Sequence, residues 1–537
     1  MTYDLALKNA YIVDGTGSPG FMGQIGIKDG KIACIEKAGD IQAAKTITLE
    51  ADEAVCPGFI DGHSHSDKYI FYDKFMKPKL LQGITTDLGG NCGIGAAPVA
   101  APYEKELENY SSLCGVGLDL PKGWSSLDTF DKFLSAVEAL EPEINIGFYI
   151  AHGVLRIAVK GYDQSPLTEA EMERMKALLC EALDAGAVGM STGLIYAPGS
   201  YATQHELTEL CKVLKSRGAL YATHIRSQSD GVLEAIKEAF DLAYQTGVKL
   251  LISHHKIVGK ANAKLIPETF KLYEKARADG LDVYLDSYPY ESGASTLSIL
   301  IPRKYLDGGV EKLVERLKDE KTRGQIASEI LDSDGTWENI VEACGFDGIY
   351  VLSAPANPET LMKNLQEIAE LWGMSRTDAL FKLLVDNNGK VFCRLKFLTD
   401  ENVEELIRYP DVIVASDAIL AADGVVTHPR AYGTYPRILG CFVRDRGVLT
   451  LEEAVKKMTS MPAGLYGFGS KGRIEAGKDA DLTIINRKTI IDRADYEDPR
   501  KPNEGVVYVI VGGKLVLDHG VLTEQRAGNV LRMGRNV

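Results

Sequence analysis

Residues 3–56 alternate apolar and polar positions in short runs, cut by the turn signals Asp14-Gly15, Ser18-Pro19-Gly20 and Asp29-Gly30. A period of two buries one face and leaves the other wet, so this stretch predicts β-structure. The far end repeats the pattern: 480–485, 505–511 and 514–518 read as strands, with Gly512-Gly513 as a turn. Neither run is long enough for a comfortable domain alone. The two ends are therefore expected to build one β-sandwich together.

Between them, short apolar runs alternate with amphipathic helices, the signature of βα units around a parallel sheet. Strands are expected near 54–60, 85–88, 145–151, 187–191, 219–225, 249–254, 282–286 and 412–415. Eight strands are what a closed (β/α)8 barrel requires. Thr168 with Glu171 and Thr203 with Glu206 have the spacing of capping boxes, and Gly186 stands where the first of those helices should stop. The stretch between strands seven and eight is too long for one loop and carries helical patterns at 309–333, 358–372 and 376–387, so it reads as an insertion. Residues 486–505 form a polar loop with Pro499 and Pro502. The expected fold class is α/β, with three units: a split sandwich (1–56 and 470–537), a TIM barrel (57–296 and 396–469) and a small insertion (297–395).

Composition narrows the function. At 45% hydrophobic and 25% charged residues the 537-residue chain is ordinary globular protein, which excludes disorder. A net charge of −15 argues against nucleic acid or anionic membrane as the partner, since both need a positive footprint. The start of the chain has no basic and apolar leader, and no stretch approaches the ~20 apolar residues of a membrane helix. The expected compartment is the cytoplasm, and the nine dispersed cysteines, without a CxxC pair, read as reduced thiols.

Candidate chemistry gathers at the strand ends. The first barrel strand closes on Gly62-His63-Ser64-His65, whose two imidazoles point to one face because side chains at i and i+2 do so in extended chain. Further ligand-type residues recur: Cys92 follows the second strand, His224 closes the fifth, His254 the sixth and Asp417 the eighth. Catalytic groups of such barrels come from the C-terminal ends of several strands. Nitrogen, thiolate and carboxylate together suit Zn²⁺ and disfavour Mg²⁺ or Ca²⁺. A zinc-bound water reaches a pKa near 7, so the expected reaction class is hydrolysis of an unactivated bond. His152, after the third strand, reads as a packed core histidine, and Cys56, Cys114, Cys180, Cys211 and Cys393 as inert.

The Pro57-Gly58 and Gly62-His63-Ser64-His65 motifs, with the β-rich ends, resemble the amidohydrolase superfamily of distorted TIM barrels joined to a β-sandwich. More narrowly, Gly90-Asn91-Cys92-Gly93, 192–196, Thr223-His224-Ile225-Arg226, Ser253-His254-His255-Lys256, Tyr288-Pro289-Tyr290 and His428-Pro429-Arg430 resemble the D-aminoacylases, or N-acyl-D-amino-acid deacylases. The resemblance runs from about residue 5 to about 485. It implies one metal position at His63, His65 and Asp417, and a second, tight zinc at Cys92, His224 and His254, with His254 rather than His255 as the ligand. Many superfamily relatives bridge two metals with a carboxylated lysine after the fourth strand, but here that strand reads Val188-Gly189-Met190-Ser191-Thr192. Cys92 takes over that role in the deacylases, and the missing lysine disfavours a hydantoinase or dihydroorotase.

The resemblance further maps a substrate-carboxylate clamp onto Lys256, Tyr288 and Arg430. Arg303 is a candidate partner for an acidic side chain, against the plainer reading of a solvated loop arginine. The expected reaction is attack of a metal-bound hydroxide on an N-acyl-D-amino acid, with Asp417 taking the water's proton and returning it to the leaving nitrogen. The products are a carboxylate and a free D-amino acid. The expected partner is thus a small anionic molecule. Two rival readings remain: a hydrolase of N-carbamoyl or cyclic amides, and a catalytically silent relative acting as a binding scaffold.

Overall fold

The computed structural model describes every residue except Met1, Ala38, Asp40, Glu524, Asn536 and Val537. At Pro57-Gly58 the chain leaves one sheet for another. Glu53–Pro57 lies in the terminal sheet, parallel to Tyr3–Ile12 and antiparallel to Leu482–Asn486, with Thr483 opposite Cys56. Phe59–Asp61 then begins the barrel beside Ile84–Gly89. The single strand expected at 54–60 is therefore two. Gly58 makes the crossing possible, because a Cβ there would sit 2.1 Å from Thr85 Oγ1.

The terminal sheet has nine strands drawn from both chain ends, and Leu7, Ile12, Ile25, Ile27, Val55, Leu482, Ile484 and Ile510 form its apolar core. The alternation along 3–56 is the sequence image of that buried face. In the barrel, strands one to three are Phe59–Asp61, Ile84–Gly89 and Asn145–Phe148. The parallel order then continues through Ile150–Ala151, Gly189–Gly193, Leu220–His224, Lys249–Ile252, Val283–Ser287 and Val412–Val414. The run 145–151 breaks at Tyr149. Its first half pairs with strand two and its second half with strand four. Closure between strands eight and one falls just past their ends, where His65 N donates to Ala418 O (2.9 Å) and Asp417 N to His63 O (2.8 Å). Inside, Ile60, Leu88, Val188, Leu220, Leu251 and Ile413 pack against Tyr466 and Leu531 at the N-terminal end.

The Thr168–Glu171 capping box forms, and Gly186 ends that helix in the left-handed region (φ 114°). At Thr203 the hydroxyl caps Glu206 N, but the Glu206 carboxylate turns to His152 Nε2 (2.8 Å) and Arg156 Nη1 (2.5 Å), so the box is half made. A buried cation competes better for a carboxylate than one backbone amide does. Between strands seven and eight, Asp319 caps a new helix and splits 309–333 into Gly309–Lys318 and Glu320–Leu331. The 358–372 pattern becomes a helix only from Leu365, after its capping box at Asn364. This region also contains a three-stranded antiparallel sheet, Ser292–Thr296, Phe392–Lys396 and Ile349–Ser353. Among the described residues no helix is long and apolar enough to cross a membrane.

Candidate metal centre and substrate pocket

The ligand-type residues converge at the C-terminal mouth of the barrel. One donor atom each from His63, Cys92, His254 and Asp417 lies within 4.8 Å of all the others, and all four residues are buried. Cys92 Sγ is 3.3 Å from His63 Nε2 and 3.2 Å from His254 Nε2. Asp417 Oδ1 is 3.6 Å from His63 Nε2 and 3.2 Å from His65 Nε2. His224 flanks the other side, its ring 4.3 Å from that of His254, and it lines the same cavity wall as Cys92. Cys92 thus stands between the two groups of ligands. His255 faces away and meets Thr269 Oγ1 at 2.9 Å, while His152 is enclosed with Glu206 and Arg156.

Backbone strain accompanies this geometry. Cys92 (φ 54°), His254 (φ 34°) and Asp417 (φ 48°) all lie in the left-handed region, which non-glycine residues enter at a cost of about 1–3 kcal/mol each. Three such outliers in one cluster are the mark of a functional constraint on side-chain direction. Gly93 permits the turn at Cys92, since a Cβ at its φ of +68° would come within 2.7 Å of Gly193 N.

Electrostatics are equally shaped. Burial alone would push the Cys92 thiol up, but the imidazoles of His254 and His63 outweigh it and hold the group well below the usual thiol range. Burial likewise raises Asp417, and Arg430 and the surrounding histidines bring it far below the normal carboxylate value. A thiolate and a carboxylate amid imidazoles form a borderline-soft donor set, which fits zinc.

The same cavity, about 580 Å³, is lined by His65, Cys92, His224, His254 and Asp417, and also by Lys256, Tyr288 and Arg430. Arg430 Nη1 lies 2.8 Å from Asp417 Oδ2, and Arg430 and Lys256 stack against the Tyr288 ring at 4.7 and 5.3 Å. Among the described residues, the buried Tyr288 hydroxyl and Arg430 Nε make no well-formed hydrogen bond. Unsatisfied buried donors are costly, so their presence in a cavity wall fits a ligand that brings acceptor oxygens. Burial, against the pull of Asp417, lowers Lys256 to about 8. Arg303 is not in this cavity. Its guanidinium donates to Thr336 O (2.8 Å) and lines a neighbouring space of about 710 Å³, which shares Ile195, Tyr196 and Ile299 with the first.

Sequence reasoning missed the supports. Asp286, at the end of strand seven, holds His63 Nδ1 at 3.3 Å with one oxygen and accepts from His254 N with the other, orienting two of the candidate donors together. A carboxylate behind a metal-ligating imidazole fixes its tautomer. Gln228 Nε2 lies 3.2 Å from His254 Nδ1, and Gln228 N donates to Glu338 Oε2 at 2.7 Å. Asp286 had a signal in its place at a strand end; Gln228 and Glu338, brought together across 110 residues, had none.

A closed (β/α)8 barrel with imidazole, thiolate and carboxylate donors at its mouth is the architecture of a metal-dependent hydrolase. The model of the amidohydrolase family matches residues 51–517. The chain is 32% identical to a D-aminoacylase of Alcaligenes xylosoxydans xylosoxydans, over 98% of this chain and 97% of that one. It is 33% identical to an N-acyl-D-glutamate deacylase of the same organism, over 99% and 97%. The N-acyl-D-glutamate deacylase of Bordetella bronchiseptica, solved with zinc and a phosphonate mimic of the tetrahedral intermediate, superposes with a TM-score of 0.83. That match has 30% identity and covers 99% of this chain and 100% of that one. The chain belongs to the amidohydrolase family, in its D-aminoacylase branch.

Proposed function

We propose that the protein is a zinc-dependent deacylase of N-acyl-D-amino acids. The observation that carries this reading is the cavity in which three of the four converging donors, Cys92, His254 and Asp417, together with His65 and His224, face the Lys256, Tyr288 and Arg430 cluster. Cys92, His224 and His254 would hold the tight zinc, and His63, His65 and Asp417 a second position. Zinc bound there supplies Lewis acidity to the acyl carbonyl and to water.

The chain's own residues do the rest. Lys256, Tyr288 and Arg430 bind the α-carboxylate, the two cations by charge and the phenol through its hydroxyl. With the carboxylate anchored at one end and the acyl group at the other, the pocket admits one configuration at the α-carbon. Asp417 accepts the proton of the attacking water and returns it to the departing nitrogen. Arg430, 2.8 Å from its other oxygen, keeps the carboxylate ionised and aimed. The division into a split sandwich (1–56, 470–537), barrel (57–296, 396–469) and insertion (297–395) belongs to the same reading. It is supported by the terminal sheet, whereas the separate three-stranded sheet crosses its barrel–insertion boundary, because Ser292–Thr296 pairs with Phe392–Lys396. A cytoplasmic location fits nine cysteines that are all free thiols.

A chiral panel of N-acetyl amino acids, assayed with and without added zinc, tests the proposal. D-substrates should be hydrolysed, L-enantiomers and carboxylate-blocked amides should not. Turnover confined to N-carbamoyl or cyclic amides would favour the rival hydrolase, and no zinc with no hydrolysis the silent scaffold. Within the panel, Arg303 as a side-chain partner requires N-acetyl-D-Glu to outperform N-acetyl-D-Leu and N-acetyl-D-Met. Equal rates would leave Arg303 to its bond with Thr336.

A further inference from the structure

Beneath the donor cluster lies a fully buried lysine that touches no part of the substrate cavity. Lys79, from the short segment Lys77–Leu80 between barrel strands one and two, is 0% exposed. Its ammonium is 2.6 Å from Asp61 Oδ2, 2.8 Å from Asp87 Oδ1, 3.2 Å from Ser64 Oγ and 3.3 Å from Ser416 Oγ. Ser64 sits between His63 and His65, and Ser416 immediately precedes Asp417. The two aspartates extend the same grip. Asp61 accepts from Ser416 N (3.0 Å) and from His63 N (3.4 Å), and Asp87 accepts from Ser66 Oγ (2.5 Å).

We propose that Lys79 is a positioning residue that locks the His63-Ser64-His65 segment to the Ser416-Asp417 segment, and so sets the spacing of one metal half-site. The contacts are selective. They reach both segments that bear His63, His65 and Asp417, and Lys79 is absent from the lining that includes Lys256, Tyr288 and Arg430. A purely stabilising role is a poor account of a buried charge, because desolvating an ammonium and two carboxylates costs several kcal/mol per ion. A packed apolar group of the same volume serves stability as well or better. What an apolar group lacks is direction. One ammonium with four partners fixes the ends of strands one, two and eight at a single point, where the barrel is closed by only a few backbone bonds.

The metal in this inference rests on the deacylase reading, so the test measures metal binding separately from turnover. Lys79→Met and the double variant Ser64→Ala/Ser416→Ala, which removes the lysine's direct hydroxyl contacts to both segments without changing any charge and leaves only the bridge through Asp61, are compared with the parent. Affinity for the second, weaker zinc, read by titrating zinc into protein that already holds the tight one, should weaken at least about tenfold, the scale of lost support to ligands. At saturating zinc, kcat should fall by a similar factor while KM stays within about threefold, because the carboxylate clamp is untouched. A lowered melting temperature with parental zinc affinity and parental kcat would assign Lys79 to stability alone and overturn the proposal. If Lys79→Met does not fold, the double variant decides between the same two outcomes. A parent inert towards every N-acyl-D-amino acid would sink the deacylase reading while leaving the zinc comparison to judge Lys79.

Discussion

Asp417 is placed to do two things at once, and its neighbours divide them. One oxygen faces His63 and His65 while the other meets Arg430. Metal retention has further donors in Cys92, His224 and His254, but proton transfer has no second carboxylate among the donors that converge there. Asp417→Asn should therefore keep most of its zinc by elemental analysis and lose about 10²–10⁴-fold in kcat, the range for a removed general base. Near-parental turnover would end its role as the base. Cys92→Ala should lose more zinc than His63→Ala, because its thiolate stands between the two groups of donors. The opposite order would place the tight position at His63. These donors were legible in the sequence because strand ends carry them and HxH spacing puts two on one face. Asp286 and Lys79 were not. A carboxylate or ammonium reads as a solvated charge until the fold shows what it touches.

At the scale of elements, the strands were more legible than their breaks. The 54–60 and 145–151 runs are buried throughout, and a run without alternation gives no mark of where it changes partners. Ser292–Thr296, all small residues, has nothing to distinguish it from a loop until Phe392–Lys396 pairs with it. That sheet and the helices beside it bring Glu338 against the loop after strand five. Burial raises the Glu338 carboxyl to about 7, over the relief given by Gln228 N–H and Ser227. Because the folded value is above the unfolded one, the folded state binds the extra proton. The contribution is full below about pH 4.5 and is lost as pH rises towards 7, with a ceiling of about 3 kcal/mol. Glu338→Gln cannot titrate and keeps an oxygen for Gln228 N–H. Its stability relative to the parent, from denaturant melts, should rise between pH 4.5 and 7 and then level off. A difference independent of pH would mean that Glu338 is ionised throughout.

Across the whole molecule, the acidic balance of −15 and the cationic pocket coexist because charge at a site is local. Lys256 and Arg430 lie where burial strengthens their pull on a small anion, whatever the distant surface carries. The two ends of the barrel also divide their work. The converging donors and the Lys256, Tyr288 and Arg430 cluster occupy the C-terminal mouth, whereas the tail of the chain closes the opposite end: Val530 bridges to Ile146, and Leu531 N donates to Ile146 O at 2.7 Å. Arg532 fastens this tail. Its guanidinium meets Glu138 (2.6 and 3.0 Å), Asp131 (2.6 Å) and Ala185 O (3.0 Å). The arginine is buried, but Asp131 and Glu138 are about half exposed, so solvent screens the pairing. Arg532→Ala should cost about 1–2 kcal/mol, well short of a fully buried pair. The N-terminal face of such a barrel serves stability rather than catalysis. The variant should therefore melt a few degrees lower and inactivate faster on heating, while kcat/KM at 25 °C stays within about twofold of the parent. A large loss of kcat/KM without a change in melting would show that the tail acts on the site through the barrel interior, where Leu531 packs against Tyr466.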